Sequence, residues 1–408
     1  MSSAKIKLGI IGYGHSAKNF HLPFLVHVPE IEVYAIVQRT PPSPDHKAGE
    51  HCTIDFPTVK HYSEIDAFFN DPEIELVLVA VHAMYYEYGK RALLAGKNVI
   101  VEKAFTTTSK EAGDLMQTAK AVNKMVTVYH NRRFDGAFLT VKRLIKDGVL
   151  GEIIDFETRF DWDDPGWPSN WANVKKCIPG KGTLFGLGSD TAYQVLSLFG
   201  QPETVSAVFR AHRDGSRGSA IDDWHTLLLQ YAAEKNQGMV ATIRSTQISP
   251  MSKQLSFLVR GRQGSYIKFH HDVQEAQIAG RQFSSVLDPG FGQEDPSHFG
   301  ELTTTTMYDP SYQAVNNSGR KARYTGNIPT ERGNWRGYYQ NIARFLRGQE
   351  ELEVIAQHGR DVIKLFELAR ESARTGRCVP WNYSQLAMNI CLQSAKEVKQ
   401  NREMIYSV

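Results

Sequence analysis

The run Gly12-Tyr13-Gly14-His15-Ser16-Ala17 has the residue types and spacing of a turn that cradles phosphate. In such a turn the first glycine permits a tight bend, the second lets backbone approach a pyrophosphate, and a small third residue lets the next helix pack on the preceding strand. Gly12, Gly14 and Ala17 fill those places in order, with the pyrophosphate expected at the helix N-terminus. A plain structural turn is the competing reading, and context decides. A short apolar run over residues 5–11 stands before the loop, and a helical start stands after it. Further along, the end of the second strand reads Val37-Gln38-Arg39-Thr40, with no carboxylate to take the ribose hydroxyls. An arginine there suits a 2′-phosphate, which favours NADP(H), with NAD(H) as the second choice. The alternative for Arg39 is a solvated loop charge.

These residues need a scaffold. Apolar strand-like runs recur at 33–37, 76–81 and 99–101, separated by helical patterns at 63–69, 85–95 and 110–124. The last begins Thr108-Ser109-Lys110-Glu111, the form of a capping box, and Gly96 closes the helix before it. Strands alternating with helices predict a doubly wound parallel Rossmann sheet over residues 1–128. Beyond Gly151 the period changes to two: Ile154, Phe156, Thr158 and Phe160 alternate with Asp155, Glu157 and Arg159. Similar runs follow at 205–210, 225–231, 239–245, 255–260 and 266–269. They predict an α+β domain over 129–382 with an open, mostly antiparallel sheet of about six strands, covered on one face by a helix over 189–199. Residues 270–330 read as long loops, 338–346 and 356–375 as helices ending at Gly376, and 383–408 as a helical tail.

Composition limits the functional classes. With 41% apolar and 22% charged residues and a net charge of +3, the chain resembles ordinary soluble protein, and no basic run marks a nucleic-acid partner. No signal-peptide core and no stretch of roughly 18 to 20 apolar residues occurs, so a cytoplasmic protein with no membrane partner is expected. Cys52, Cys177, Cys378 and Cys391 are too scattered for a C-x-x-C pair, and neither a disulfide framework nor a metal site is expected.

The segment Gly96-Lys97-Asn98-Val99-Ile100-Val101-Glu102-Lys103-Ala104 resembles the hallmark of the Gfo/Idh/MocA oxidoreductases, the glucose-fructose oxidoreductase and inositol dehydrogenase family. The likeness continues through Phe20-His21-x-Pro23, Asn131-Arg132-Arg133-Phe134, Gly261-Arg262-x-Gly264-Ser265-Tyr266 and Asp272-x-Gln274-Glu275, leaving only the tail outside it. The resemblance implies hydride exchange between a nicotinamide and a carbinol carbon, with sugars and polyols as the usual substrates and a homodimer or higher homo-oligomer formed through the C-terminal sheet. It places Lys103 beside the nicotinamide and substrate oxygen, and Val81, His82, Glu102 and Asn131 with the loop residues around the cofactor. A lysine there can exchange the alcohol proton if its surroundings lower its pKa.

The pattern breaks at the second catalytic segment, which in the family reads Asp-x-Gly-x-His-x-x-Asp. Here Gly186 stands for the first Asp, Asp190 for the His and Tyr193 for the second Asp; Ala104 follows Lys103 in place of Pro, and His82 and Tyr86 replace the usual Pro and His. Losing the imidazole removes the side chain that titrates near neutrality. Three readings stay open. Lys103 pairs with Asp190 to bind an amine or imine; Lys103 and Tyr193 replace the dyad as proton donors; or the site is dead. Tyr193 reads equally as a core aromatic, and Asp190 as a helix N-cap. Substrate contacts are expected from Arg132, Asp161, Trp162, Trp171 and Asp190, although three tryptophans at 162, 167 and 171 also suit packing on the sheet. The reading that follows is an NAD(P)-dependent oxidoreductase acting on a C–O or C–N centre of a small polar molecule. Its alternatives are a catalytically inactive dinucleotide sensor or scaffold, and a redox-neutral epimerase or lyase using bound cofactor.

Overall fold

A computed structural model describes residues 4–163, 180–213, 220–232, 238–315 and 322–382, so Trp171 and the expected tail lie outside the described residues. Six strands, β1 (Ile6–Ile11), β2 (Ile31–Val37), β3 (Lys60–Tyr62), β4 (Leu76–Val79), β5 (Asn98–Val101) and β6 (Val126–Val128), form a sheet in the order β3-β2-β1-β4-β5-β6. Every pairing in it is parallel. Both faces are covered, which is why β4 is buried at every residue and reads as an unbroken apolar run. Strand order reverses between β1 and β4, and the glycine loop leaves β1 at that switch point, where open α/β sheets bind ligands.

The helix Ser109–Ala121 starts with both capping-box bonds, from the Glu111 amide to the Thr108 hydroxyl and from the Thr108 amide to the Glu111 carboxylate. It packs against the helix Tyr85–Leu94, which stops where Gly96 takes a φ of +75°.

The second sheet holds ten strands rather than six. They are β7 (Ile153–Arg159), β8 (Thr204–Arg210), β9 (Trp224–Gln230), β10 (Val240–Thr246), β11 (Leu255–Gly261), β12 (Gly264–Phe269), β13 (Gly300–Thr304), β14 (Gln313–Val315), β15 (Arg323–Ile328) and β16 (Val379–Pro380). The order is β14-β15-β13-β12-β11-β7-β10-β9-β8-β16, antiparallel except where β7 meets β10. The reading of 270–330 as loops is therefore corrected: the helix Val273–Ala279 and strands β13 to β15 lie there. Polar composition suggested loops, but threonine is β-branched and pleats well, and Leu302 and Ile328 suffice to bury the inner face.

The helices Ser189–Phe199 and Ala356–Thr375 lie against the inner face of this sheet, over β10 and β8 respectively. The second of them also packs on Ser109–Ala121 and β6, so one helix spans the seam between the two sheets. The helix Arg336–Leu346 reinforces that seam, because the Tyr338 hydroxyl donates to the Val128 carbonyl at 2.9 Å. No helix among the described residues is long and apolar enough to cross a membrane.

Removing the cap at Thr108 should cost about 1 kcal/mol. Denaturant unfolding of Thr108→Ala is expected to show a lower midpoint with an unchanged slope, and a midpoint equal to the parent's would show that the cap does not stabilise the helix.

Candidate active site

A cavity of about 630 Å³ opens beside the switch point, between the two sheets, and falls within the size range of small-molecule sites. Of the residues singled out in the sequence, His15, Ser16, His82, Glu102, Lys103, Asn131, Arg132 and Trp162 line it. The structure adds Phe20, Tyr85, Tyr129, Phe160, Lys181, Phe185 and Glu275. Phe20 and Glu275 lay within motifs already noted, whereas nothing in the sequence signals that Lys181 reaches the cavity.

The loop geometry fits a pyrophosphate. Gly12 has a φ of +104°, and a Cβ on it would stand 2.9 Å from Cγ2 of Val81. A Cβ on Gly14 would meet nothing within 4 Å, so this glycine leaves backbone bare toward open space. The helix that follows is continuous over residues 15–25, with a π-turn at Ala17–His21 in its middle, so its N-terminus stands directly behind the loop. At the other end of the expected dinucleotide, Arg39 is exposed and makes no ion pair among the described residues. Gln38 is occupied: its amide group donates to the Glu50 carbonyl at 2.8 Å and accepts from the Cys52 amide at 2.9 Å.

Glu102 directly follows β5, and its carboxylate is buried. Ser16 Oγ donates to it, His21 Nε2 lies 3.0 Å away, and the Lys103 amide donates at 2.8 Å. Burial opposes the charge, but His21 and Ser16 hold this carboxyl below its usual range. Glu102 therefore anchors the loop to the strand end, with only its edge on the cavity.

Lys103 comes next, and its Nζ donates to the Gly186 carbonyl and, at 2.9 Å, to Asp190 Oδ2. Asp190 is buried, and Nε of Arg132 stands 3.7 Å from the same oxygen. Arg132 also pairs with Glu275 and lies over the Phe160 ring at 4.5 Å. Burial works against the Arg132 charge, but Asp135, Glu275 and Asp190 more than offset it.

The segment carrying Gly186 and Asp190 is held from β9. Asp222, just before that strand, accepts the Thr183 amide on its carbonyl at 3.0 Å and the Leu184 amide on Oδ2 at 3.1 Å. Gly182, with a φ of +103°, has its missing Cβ position 2.6 Å from Oδ1 of Asp222. Gly188 presses on the His225 ring, where a Cβ would come within 3.1 Å.

Several expected site residues are not brought to the cavity. Tyr193 is corrected from proton donor to buried support: its ring stacks on His130 at 4.4 Å and its hydroxyl accepts from Arg133 at 2.8 Å. Helical spacing from Asp190 suggested a shared face, but the packing of His130 and Arg133 claims the ring. Asp161 is buried and does not line the cavity; its carboxylate accepts the Thr246 amide at 3.0 Å, tying two strand ends together. Tyr13 donates its hydroxyl to Asp55. Val81 packs beneath the loop, with its Cγ2 beside Gly12.

The fold and the cavity define a two-domain protein with a dinucleotide-type Rossmann sheet and an open substrate-side sheet. Residues 6–130 match the family model described as an oxidoreductase family with NAD-binding Rossmann fold, and residues 138–267 match the GFO/IDH/MocA C-terminal domain. A scyllo-inositol 2-dehydrogenase (NADP(+)) of Bacillus subtilis is 33% identical over 92% of this chain and 95% of its own length. An uncharacterised oxidoreductase of Schizosaccharomyces pombe is 33% identical over 92% of this chain and 99% of its own. The crystal structure of the Bacillus subtilis oxidoreductase yvaA superposes with a TM-score of 0.79 at 30% identity, covering 93% of this chain and 99% of that one. The chain belongs to the Gfo/Idh/MocA family of oxidoreductases.

Burial pushes His225 down to about 3 and His271 to about 4. Unfolded histidine titrates near 6.5, so between these limits the unfolded chain binds protons that the folded chain refuses. Stability is present in full above about pH 6.5 and is lost progressively as pH falls toward 4. Thermal unfolding at stepped pH should show that slope, and His225→Leu should flatten it; an identical slope in the variant would remove His225 as a cause.

Proposed function

We propose that this enzyme prefers NADP(H) and moves a hydride between the nicotinamide and a secondary C–O centre of a small polyhydroxylated molecule, with a C–N centre as the second choice. The observation that carries this reading is the Lys103 ammonium at the cavity, held by Asp190 at 2.9 Å. An ammonium has three donors; Gly186 and Asp190 take two, leaving one for a substrate oxygen. The bound nicotinamide supplies or accepts the hydride. In the reducing direction Lys103 passes a proton to the oxygen that becomes the alcohol; in the oxidising direction the proton returns to the same nitrogen. Asp190 then does part of what the missing imidazole does in the family pattern, by aiming the lysine nitrogen into the cavity. The flat faces of Trp162 and Phe160 form an apolar wall suited to the carbon face of a sugar or cyclitol ring.

The exposed Arg39 supports NADP(H), as does the cofactor named for the scyllo-inositol dehydrogenase. The outer face of the ten-stranded sheet, where Val208, Trp224, Leu228 and Leu258 stand among charged neighbours, supports a homodimer.

Three measurements test this. Nicotinamide fluorescence titrations should show tighter binding of NADPH than NADH, and Arg39→Ala should weaken NADPH on the order of tenfold while sparing NADH. With scyllo-inositol, other cyclitols, sugars, ketones and imines as trial substrates, Lys103→Ala should lower kcat roughly a hundredfold or more at unchanged cofactor Kd. Full turnover by that variant sinks the mechanism, and tight cofactor binding without any hydride transfer makes the protein a sensor. Light scattering should show a dimer that Leu228→Glu turns into monomer.

A further inference from the structure

At the far end of the expected dinucleotide site, the segment after β2 folds back against β3 and gathers imidazoles around a thiol. His51, Cys52 and His61 each bring a ligand atom within 4.8 Å of the other two. His51 and Cys52 are fully buried. Cys52 lies at the start of the single helical turn Cys52–Asp55, and His61 lies in β3. The hydrogen bonds around the rings are those of an oriented ligand set. His51 Nε2 contacts the Thr40 carbonyl at 3.0 Å, and His61 Nε2 contacts the Gln38 carbonyl at 2.8 Å. A carbonyl only accepts, so each ring carries its proton on Nε2 and turns the lone pair of Nδ1 away from that bond. Imidazoles that bind metals are fixed in this way, with the nitrogen opposite the ion donating to a carbonyl or carboxylate. His46 stacks on His51 at 5.0 Å with an interplanar angle of 11°, which closes one side of the cluster.

We propose that His51, Cys52 and His61 form a binding site for a zinc-class divalent transition ion, with water in the fourth position. Two nitrogens and one thiolate suit an ion of borderline softness. Bonds of about 2.0 to 2.3 Å place tetrahedral donors roughly 3.5 Å apart, so the trio closes by about an ångström on binding. The contacts it gives up are those of His51 Nδ1 with the Thr53 hydroxyl at 2.8 Å and with the Thr53 amide, which donates to it at 3.3 Å as the cap of the helical turn. This closure has a consequence for the neighbouring segment. The Gln38 side chain already bridges the Glu50 carbonyl and the Cys52 amide, and Arg39 is the next residue. An ion bound here fixes the segment that presents Arg39, so occupancy raises NADPH affinity. That coupling rests on the proposed cofactor preference; the ion site itself does not.

The test is a titration of the full, chelator-treated chain with Co²⁺. One equivalent should give the d–d bands of a tetrahedral site together with a thiolate-to-cobalt charge-transfer absorption. Cys52→Ser should abolish the charge-transfer band, and His61→Gln, at a half-buried position, should weaken binding on the order of tenfold or more. Cys378→Ser, at an exposed cysteine elsewhere, should leave the spectrum as it is, and circular dichroism should confirm that each variant is folded. Absence of the charge-transfer band in the folded parent, or its persistence in Cys52→Ser, overturns the site. An unchanged NADPH Kd with Zn²⁺ bound overturns the coupling while leaving the site standing.

Discussion

A single buried carboxylate, Glu102, fixes the parts of the site to one another. It accepts from Ser16 in the phosphate loop and lies against His21 in the turn that follows, and His21 in turn reaches the Tyr339 hydroxyl on the helix Arg336–Leu346. Loop, strand end and C-terminal helix therefore meet on one charge. Desolvation makes such a charge costly unless it is fully hydrogen-bonded, and removing a partner leaves that cost unmet. This is a strong reason for the loop to keep one position, and the backbone of Lys103 is tied to the same carboxylate.

From that fixed backbone the lysine side chain reaches across the seam between the sheets to Gly186 and Asp190. Both partners come from the second domain, on a segment clamped by Asp222 and backed by His225. The cationic group thus stands on one domain and its anion on the other. The changed motif has a physical logic of its own: where the family pattern has an aspartate, Gly186 offers a backbone carbonyl, and where it has a histidine, Asp190 offers a buried charge. An ion pair in so little solvent is sensitive to geometry, because attraction between charges grows as the local dielectric falls. The long helix Ala356–Thr375, packed on both sheets, keeps that geometry.

Much of this was legible in the sequence. The glycine loop, the strands on either side of it and the capped helix at Ser109 followed from local chemistry, since turn glycines, caps and apolar runs act over a few residues. Lys103 and Asp190 were legible as a pair through the family pattern. The failures share a cause in distance along the chain. Tyr193 was placed by helical spacing, which says nothing of the stacking of His130 on its ring. Asp161 was placed by charge, and a backbone amide 85 residues away claims it. Strands β13 to β15 are short and polar, and they pair because the edge at β12 is already there to receive them.

The histidines beyond β2 show the same limit from the other side. A search for paired cysteines passes over Cys52, because no second thiol stands near it in sequence. Its neighbours in space are rings from an adjacent residue and from a strand nine residues on, and the return of β3 to pair with β2 brings them together. That pairing also forms the floor under Gln38 and Arg39. The strand pairing that gathers the imidazole cluster is therefore the same one that positions the segment carrying Gln38 and Arg39.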